Sequence, residues 1–283
     1  MSDEIPLTKY PRTPHLEGSK LQPGDDGSDQ ISIAELRARF PGATWISEEK
    51  LDGANSGIST SEDLDLRLQS RGHFLNGGAR EGQFNLLKQW ASHWEAEILE
   101  RLEDRYEAFG EWCFARHTQF YDRLPHYWHE FDVWDRKEKL WLSTARRHAL
   151  FEGSPVVSVP VVATDWPKDL KDLKRLVRPS LYRSENWRDN LAMSAEDAGL
   201  NPAQILTESG ANRPDADLAE GLYIKIEDAD QVLGRFKWVR PGFLQTILDS
   251  GSHWSARPIV RNWLSDEVDI FAYPAHPSSA LGL

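Results

Sequence analysis

Residues 49–55 read Glu-Lys-Leu-Asp-Gly-Ala-Asn, and they place one lysine between two acidic residues at the boundary of two predicted strands. Residues 44–49 favour a strand before the lysine, and residues 55–60 and 63–70 favour two more after it. The last of these has leucines at alternate positions, as a strand with one buried face does. The sequence therefore predicts that Lys50 lies at a strand end within an antiparallel meander.

The rest of the chain mixes predicted helices and strands. Ser32 and Glu35 form a capping-box pattern at the start of a helix that ends near residue 40. Apolar residues recur at intervals of three and four across residues 80–105, which indicates one amphipathic helix. The remaining predictions are strands at 107–113, 128–134, 140–143, 222–226 and 232–239, charged helical structure over 168–200, and a helix at 243–248.

Composition limits the class of protein. The 283 residues can form one domain or one domain with an appendage, and Cys113 is the only cysteine, so an intrachain disulfide is excluded. We find no apolar stretch near the roughly 18 residues that a membrane helix needs, and the N-terminus lacks the pattern of a secretion signal. These observations predict a globular protein without membrane association, in the cytoplasm.

Five further segments follow the lysine motif in order along the chain. They are Ser70-Arg71-Gly72, Phe109-Gly110-Glu111, Phe131-Asp132-Val133, Glu220-Gly221-Leu222-Tyr223-Ile224-Lys225 and Arg235-Phe236-Lys237. Each alone is weakly specific, but their order and spacing resemble the covalent nucleotidyltransferases that include polynucleotide ligases and capping enzymes. The closest resemblance is to RNA ligases of the RNA ligase 2 type. It covers residues 10–240, beginning with a segment, residues 10–16, that resembles the start of such ligases.

The resemblance implies a fold and a reaction. The fold is of the α+β class, an ATP-grasp-like nucleotidyltransferase fold with antiparallel sheets flanked by helices. The reaction is ATP-dependent RNA ligation, in which Lys50 forms lysyl-AMP, AMP passes to an RNA 5′-phosphate, and a 3′-hydroxyl is then joined to it. The implied cofactors are ATP and Mg²⁺, with Mn²⁺ as a possible substitute.

The resemblance also assigns candidate roles to individual residues, which we list by the part of the nucleotide concerned. The expected contacts are the Glu49 region and Phe131 with adenine, Glu111 with the ribose hydroxyls, Asn55 and Arg71 with phosphate, Glu220 with the metal, and Lys225, Arg235 and Lys237 with the triphosphate. The residue types suit these tasks, because carboxylates are good Mg²⁺ ligands and arginine donors match phosphate. Asp52 fits either a turn residue that supports Gly53 or a catalytic group.

A nucleophilic lysine needs help from its surroundings. An ordinary lysine has a pKa near 10.4, so only about one side chain in a few thousand is a neutral amine at neutral pH. Burial beside cations lowers a lysine pKa, and we expect Lys225, Arg235, Lys237 and a bound metal to act in this way on Lys50. Arg235 departs from the lysine usual at the first position of its motif, which changes the phosphate geometry available there.

The chain length predicts one large domain followed by a short C-terminal extension. Residues 1–240 are expected to form the adenylyltransferase domain, and residues 241–283 a short extension without an oligonucleotide-binding barrel or a separate ligase C-terminal domain. An adenylyltransferase domain alone can make lysyl-AMP. Docking RNA with 5′-phosphate and 3′-hydroxyl ends is therefore expected to involve a repair partner protein, an added subunit or the tail.

Two other readings stay open at the level of sequence. The nearest is a DNA ligase or a capping guanylyltransferase, and the missing barrel pattern disfavours the latter. The other is a non-catalytic nucleotide- or RNA-binding protein, against which the intact Lys50, Glu220 and Lys237 argue. The net charge of −12, from 33 Lys and Arg against 45 Asp and Glu, is unusual for a nucleic-acid binder and argues against long duplex substrates.

Overall fold

The computed structural model describes residues 6–21, 30–78, 81–243 and 258–273. Within these ranges the chain forms two sheets. The first has the strand order β10-β9-β1-β8. Its strands are β1 (Thr44–Glu49), β8 (Val161–Ala163), β9 (Gly221–Glu227) and β10 (Val232–Val239), and all pair in antiparallel fashion.

The second sheet has six strands, in the order β3-β2-β4-β5-β6, with β7 pairing beside β5. Its strands are β2 (Ala54–Thr60), β3 (Leu66–Ser70), β4 (Tyr106–Trp112), β5 (Trp128–Asp135), β6 (Leu140–Trp141) and β7 (Val157–Ser158). All pairs are antiparallel except β5 with β7. The chain leaves the first sheet at Glu49 and enters the second at Ala54, so residues 50–53 connect the two sheets.

Helices flank the sheets. They are α1 (Ile33–Arg39), α2 (Asn85–His93), α3 (Glu95–Leu102), α4 (Thr144–Phe151), α5 (Leu170–Arg175), α6 (Trp187–Asp197) and α7 (Pro202–Glu208), with a 3₁₀ turn at Gly82–Phe84. The predicted capping box is confirmed, because the Ser32 side chain accepts from the Glu35 N–H and the Glu35 side chain accepts from the Ser32 N–H. The predicted α+β class with helix-flanked antiparallel sheets is confirmed.

Two helix predictions were wrong in their extent. The single helix expected over 80–105 is broken at Trp94, whose backbone dihedrals of −102° and 21° end α2 before α3 begins. Trp94 is buried and its indole N–H donates to the carbonyl of Ile270, so the bend carries this side chain into the core. The helical region expected over 168–200 is interrupted by residues 176–186, which separate α5 from α6. The helix expected over 243–248 lies, apart from Phe243, outside the described residues.

One irregularity in the second sheet bears on the site. Phe109 of β4 pairs with Asp132 of β5, but the next residue, Gly110, pairs with Glu130. Phe131 is therefore an extra residue without a cross-strand partner, which defines a β-bulge.

Two segments outside the named strands and helices pair with other parts of the fold. Near the N-terminus, the backbone at Leu16 and the backbone at Pro14 both hydrogen bond to Lys237 of β10, while the carbonyl of Thr8 accepts from Gln69 of β3. We call residues 8–16 the N-terminal strap, because it spans from one sheet to the other. Residues 258–273, which we call the C-terminal segment, pair with the loop that follows β4. In the part of the chain that the structure describes, no helix has the length and apolar character needed to cross a membrane.

Candidate active site

Lys50 lies at the point where the chain passes between the two sheets. Its N–H donates to the carbonyl of Gly221, 3.1 Å away, which fixes the residue beside the start of β9. The ammonium is 2.9 Å from the Glu220 carboxylate, which is almost fully buried, while a quarter of the Lys50 side chain is exposed. The lysine motif and the segment that begins at Glu220, 170 residues apart in sequence, thus meet as a lysine–glutamate pair reachable from solvent.

Carboxylates rather than cations surround this lysine. Burial alone would lower the pKa of Lys50, but the negative charges of Glu220, Glu111 and Asp52 outweigh it and raise the pKa above 10.5. Burial in turn raises the pKa of Glu111 and of Glu220 to about 7, despite the opposing effect of Lys50. The expectation that neighbouring cations lower the Lys50 pKa was therefore wrong for the protein without bound ligands, in which Lys50 is an ammonium ion.

Asp52 secures the loop beside the nucleophile. Its carboxylate accepts from the backbone N–H groups of Thr118 and Gln119 at 2.7 and 2.6 Å, and its own N–H donates to the Tyr121 hydroxyl. These three contacts hold the lysine motif against the segment after β4. They support the structural role of the two that the sequence left open for Asp52.

The second sheet brings Asn55 and Glu111 together. The residues are direct cross-strand partners on β2 and β4, so their side chains lie on one face. The Glu111 carboxylate also accepts from the Gly53 N–H at 2.9 Å. Arg71 follows Ser70, which pairs with Ser56, so it lies at the sheet end nearest Asn55 with its side chain exposed.

Glu49 is buried and turned toward a different part of the chain. Its carboxylate accepts from the Ser180 hydroxyl and from the Leu181 N–H at 3.1 Å. Burial raises its pKa, and these two hydrogen bonds oppose that effect. The side chain of Glu49 therefore fastens residues 180–181 beside the lysine motif, and a contact with adenine would have to share that carboxylate or use the backbone.

Phe131 lies in an aromatic group that includes the N-terminal strap. Its ring is 5.2 Å from that of Tyr10, edge-on, and 6.0 Å from that of Tyr223. The Tyr10 hydroxyl donates to Asp132 and also hydrogen bonds the Tyr223 hydroxyl. Sequence reasoning noted the strap as a resemblance, but gave no signal that Tyr10 or Tyr223 would contact Phe131.

Lys225 and Arg235 belong to a buried charge network. Lys225 has no exposed side-chain area and contacts Glu48 at 2.9 Å and Asp132 at 3.5 Å. Arg235 pairs with Asp132 at 3.1 Å and lies over the ring of Trp141. The remaining members are Arg147, which donates to Glu48 and Glu130, and Ser158, which donates to Glu130. Sequence reasoning missed Glu48, Glu130 and Arg147, whose only signal is a charged residue within a segment that is otherwise buried.

Lys237 lies on the same strand as Arg235 but nearer the nucleophile. Its backbone pairs with the N-terminal strap, and its positive charge lowers the pKa of Glu220, though less than Lys50 does. Of the three basic residues predicted for the triphosphate, Lys237 is the one whose charge acts on the Lys50–Glu220 pair.

The carboxylates offer a place for a divalent cation. Glu111 and Glu220 both have raised pKa values, so a cation beside them would favour the ionised form of each. Among the described residues, no group of three or more His, Cys, Asp or Glu side chains is arranged to hold a metal by itself. Such a pair suits Mg²⁺ or Mn²⁺, which commonly complete their coordination with water and substrate phosphate oxygens.

Comparisons with known proteins agree with this geometry. A family model described as RNA ligase matches residues 43–239, which is more than half of the chain and contains the motif segments from Lys50 to Lys237. The chain belongs to the RNA ligase family. A comparison with curated protein sequences gave no match.

Solved structures of Naegleria gruberi RNA ligase have a similar fold. A point mutant with ATP and Mn is 15% identical over 84% of this chain and 62% of that chain, with a TM-score of 0.50. The same enzyme with PPi is 15% identical over 86% of this chain and 64% of that chain, also with a TM-score of 0.50. The chain thus spans less than two thirds of the length of these ligases. At this identity the likeness confirms the predicted fold.

Proposed function

We propose that this chain is an ATP-dependent RNA ligase that forms lysyl-AMP at Lys50, transfers AMP to an RNA 5′-phosphate and seals that end to a 3′-hydroxyl. The observation that carries the proposal is the placement of Lys50, partly exposed between two sheets, against the carboxylates of Glu220 and Glu111 in a member of the RNA ligase family. ATP and Mg²⁺, or Mn²⁺, are the proposed cofactors. The Naegleria gruberi ligase structures with ATP and Mn support this choice.

In the first step, the neutral amine of Lys50 attacks the α-phosphorus of ATP. A P–N bond forms, the bond between the α-phosphorus and the bridging oxygen breaks, and pyrophosphate leaves. The ammonium proton must be lost before or during attack. Glu111 and Glu220 have pKa values of about 7, so a fraction of each is ionised at neutral pH and can accept that proton. A divalent cation at Glu220, when bound, would neutralise the charge that raises the Lys50 pKa and would screen the triphosphate.

The second and third steps return the lysine to its free state. An oxygen of the RNA 5′-phosphate attacks the phosphorus of lysyl-AMP, the P–N bond breaks, and the Lys50 amine regains a proton. The 3′-hydroxyl then attacks the activated 5′-phosphate, and AMP leaves as the phosphodiester forms. We assign Lys237 to the phosphates, Glu111 to the ribose, Phe131 to the adenine face, and Asn55 with Arg71 to the phosphate of the nucleotide or the RNA end.

The proposal also assigns roles to two parts of the chain. Residues 1–240 would be the adenylyltransferase domain, with residues 241–283 as its extension. Because the chain spans less than two thirds of the Naegleria gruberi ligases, we propose that RNA docking draws on a repair partner protein or on the extension.

A label-transfer experiment tests the first step. The protein is incubated with ATP labelled at the α-phosphate and Mg²⁺ or Mn²⁺, and the denatured chain is examined for an acid-labile adduct. We expect labelling of the wild type and none of Lys50→Ala. Lys88→Ala is a matched control, because Lys88 also pairs with one buried glutamate and has similar exposure.

The nucleotide and the nucleic acid are then varied. Labelling by GTP in place of ATP would point to a guanylyltransferase, and sealing of DNA but not RNA ends would point to a DNA ligase. An unlabelled wild type that still binds ATP would favour the non-catalytic reading. Formation of the adduct on Lys50→Ala would contradict the proposal that Lys50 is the nucleophile.

A further inference from the structure

The carbonyl of the bulged residue Phe131 accepts a hydrogen bond from a side chain. Phe131 has no register partner on β4. The Lys225 ammonium donates to its carbonyl from β9, on the other sheet. A side chain of the first sheet therefore holds the backbone of the second sheet at the bulge.

The ammonium of Lys225 is enclosed by acceptors of the protein. It donates to the Phe131 carbonyl and to the Glu48 carboxylate at 3.1 Å, and it forms an ion pair with Asp132 at 3.5 Å. The side chain has no exposed area. Contact with a triphosphate would require Lys225 to abandon at least one of these acceptors in the buried network.

The same buried charge network also holds Glu130 and Asp132, the residues on either side of Phe131. Asp132, next to Phe131, accepts from Tyr10 and pairs with Arg235. Glu130, on the other side of Phe131, accepts from Nη1 of Arg147 through both carboxylate oxygens and from the Ser158 hydroxyl. Phe131 is thus fixed through the carbonyl it carries and through both of its neighbours.

We propose that Lys225 is a positioning residue: it holds the Phe131 bulge and so aims the Phe131 ring at the nucleoside, and it does not bind the triphosphate. Bulges near active sites commonly redirect a side chain. The inference rests on the proposed function, which gives Phe131 its contact with adenine. It assigns Lys225 to the nucleoside end of the pocket and Lys237 to the phosphates.

Binding measurements separate the two roles, because adenosine has no phosphate. We would titrate adenosine and the α,β-methylene analogue of ATP, which cannot be cleaved at the α-phosphate, into the full chain with Mg²⁺ by calorimetry. For Lys225→Met we expect both ligands to bind more weakly by the same factor, about 10-fold, the order of one base–aromatic stack. Lys237→Met should weaken the analogue and leave adenosine unchanged.

Loss of Lys225 leaves three buried carboxylates against two guanidinium groups, so that single variant can unfold. The double variant Glu48→Gln with Lys225→Met restores the balance of charge and serves as the second test, with folding verified by circular dichroism. In the Phe131→Leu background, Lys225→Met should cost little further adenosine affinity, because the ring it positions is already gone.

The outcomes are distinct. A Lys225→Met protein that loses affinity for the analogue but binds adenosine normally would make Lys225 a phosphate ligand and overturn the inference. Unchanged binding of both ligands would also overturn it. If the wild type bound neither ligand, the proposed function itself would fail, whereas either of the former results would leave the ligase proposal in place.

Discussion

Lys50 is held as an ammonium ion by the acids around it until something changes their charge. Glu220 contributes most to the raised pKa, and Glu111 and Asp52 add to it against the effect of burial. The lysine is therefore a poor nucleophile in the protein without ligands. Such a site would couple the release of a reactive amine to the arrival of a cation beside the carboxylates.

The first prediction concerns the reactivity of Lys50. Replacing Glu220 by Gln removes the largest charge that raises the Lys50 pKa, so more of the side chain is neutral at a given pH. We expect acetylation of Lys50 by acetic anhydride at pH 8, without nucleotide, to be several-fold faster, because the neutral amine is the reactive form. Peptide mass spectrometry gives the rate at Lys50, and Glu81→Gln, which removes the partner of Lys88, should leave it unchanged.

The second prediction concerns stability and pH. The pKa of Glu111 is raised from 4.5 to about 7, so the folded state holds this proton more tightly than the unfolded state does. The stability it contributes is fully present below pH 4.5 and is lost as the pH rises through 7. The free energy of unfolding of Glu111→Gln, measured relative to wild type, should therefore rise by about 2–3 kcal/mol between pH 4.5 and pH 8.

Urea unfolding at both pH values checks this prediction. The exposed Glu62→Gln serves as the control and should follow the wild type at each pH. A Glu111→Gln protein whose stability relative to wild type is independent of pH would contradict it.

At the residue scale, the sequence located the chemistry but not its electrostatics. Motif spacing identified Lys50, Glu111 and Glu220, which the structure brings together. It gave no means of learning that Arg147 of α4 reaches Glu48 of β1, 99 residues away in sequence. The sign of the Lys50 pKa shift depends on which motif residues lie closest. The acids Glu220, Glu111 and Asp52 determine it, and motif spacing along the chain does not give those distances.

The predicted bounds of the strands were more accurate than those of the helices, because different interactions determine where each kind of element ends. Alternation and turn residues located β1, β2, β9 and β10 to within a residue or two. The helix predicted over 80–105 has an apolar stripe that continues through Trp94, where the backbone nonetheless bends. The indole of Trp94 reaches the carbonyl of Ile270 in the C-terminal segment, a partner that local periodicity cannot reveal.

The C-terminal segment supports the loop behind Lys50, and the third prediction tests that support. Asn262 is fully buried, donates to the Cys113 carbonyl at 2.8 Å and accepts from the Tyr121 N–H at 3.0 Å. Asn262→Ala leaves both backbone groups without these partners, so we expect the free energy of unfolding to fall by about 2–4 kcal/mol. Chemical denaturation measures it.

Asn186→Ala is the control for this variant, because Asn186 is exposed. It should change the free energy of unfolding by less than about 0.5 kcal/mol. An Asn262→Ala protein as stable as this control would show that the segment contributes little to the loop.

For the whole molecule, the excess of acidic residues makes a prediction about RNA. Each phosphate neutralised on a single strand contributes about −0.7 to the slope of log affinity against log salt concentration. With a net charge of −12, we expect few such contacts and a slope no steeper than about −3. Fluorescence anisotropy with a 5′-phosphorylated RNA at several salt concentrations measures it, and a slope near −6 would reveal a basic surface much larger than expected.

The N-terminal strap also dictates when the pocket can be completed during synthesis. Tyr10 is synthesised before its partners Asp132 and Tyr223, which follow 122 and 213 residues later. At roughly 5–20 residues per second, the strap must wait on the order of 10–40 s for the second of them. During that interval the ring of Tyr10 lacks these native partners, so the aromatic group around Phe131 is completed only after Tyr223 has been synthesised.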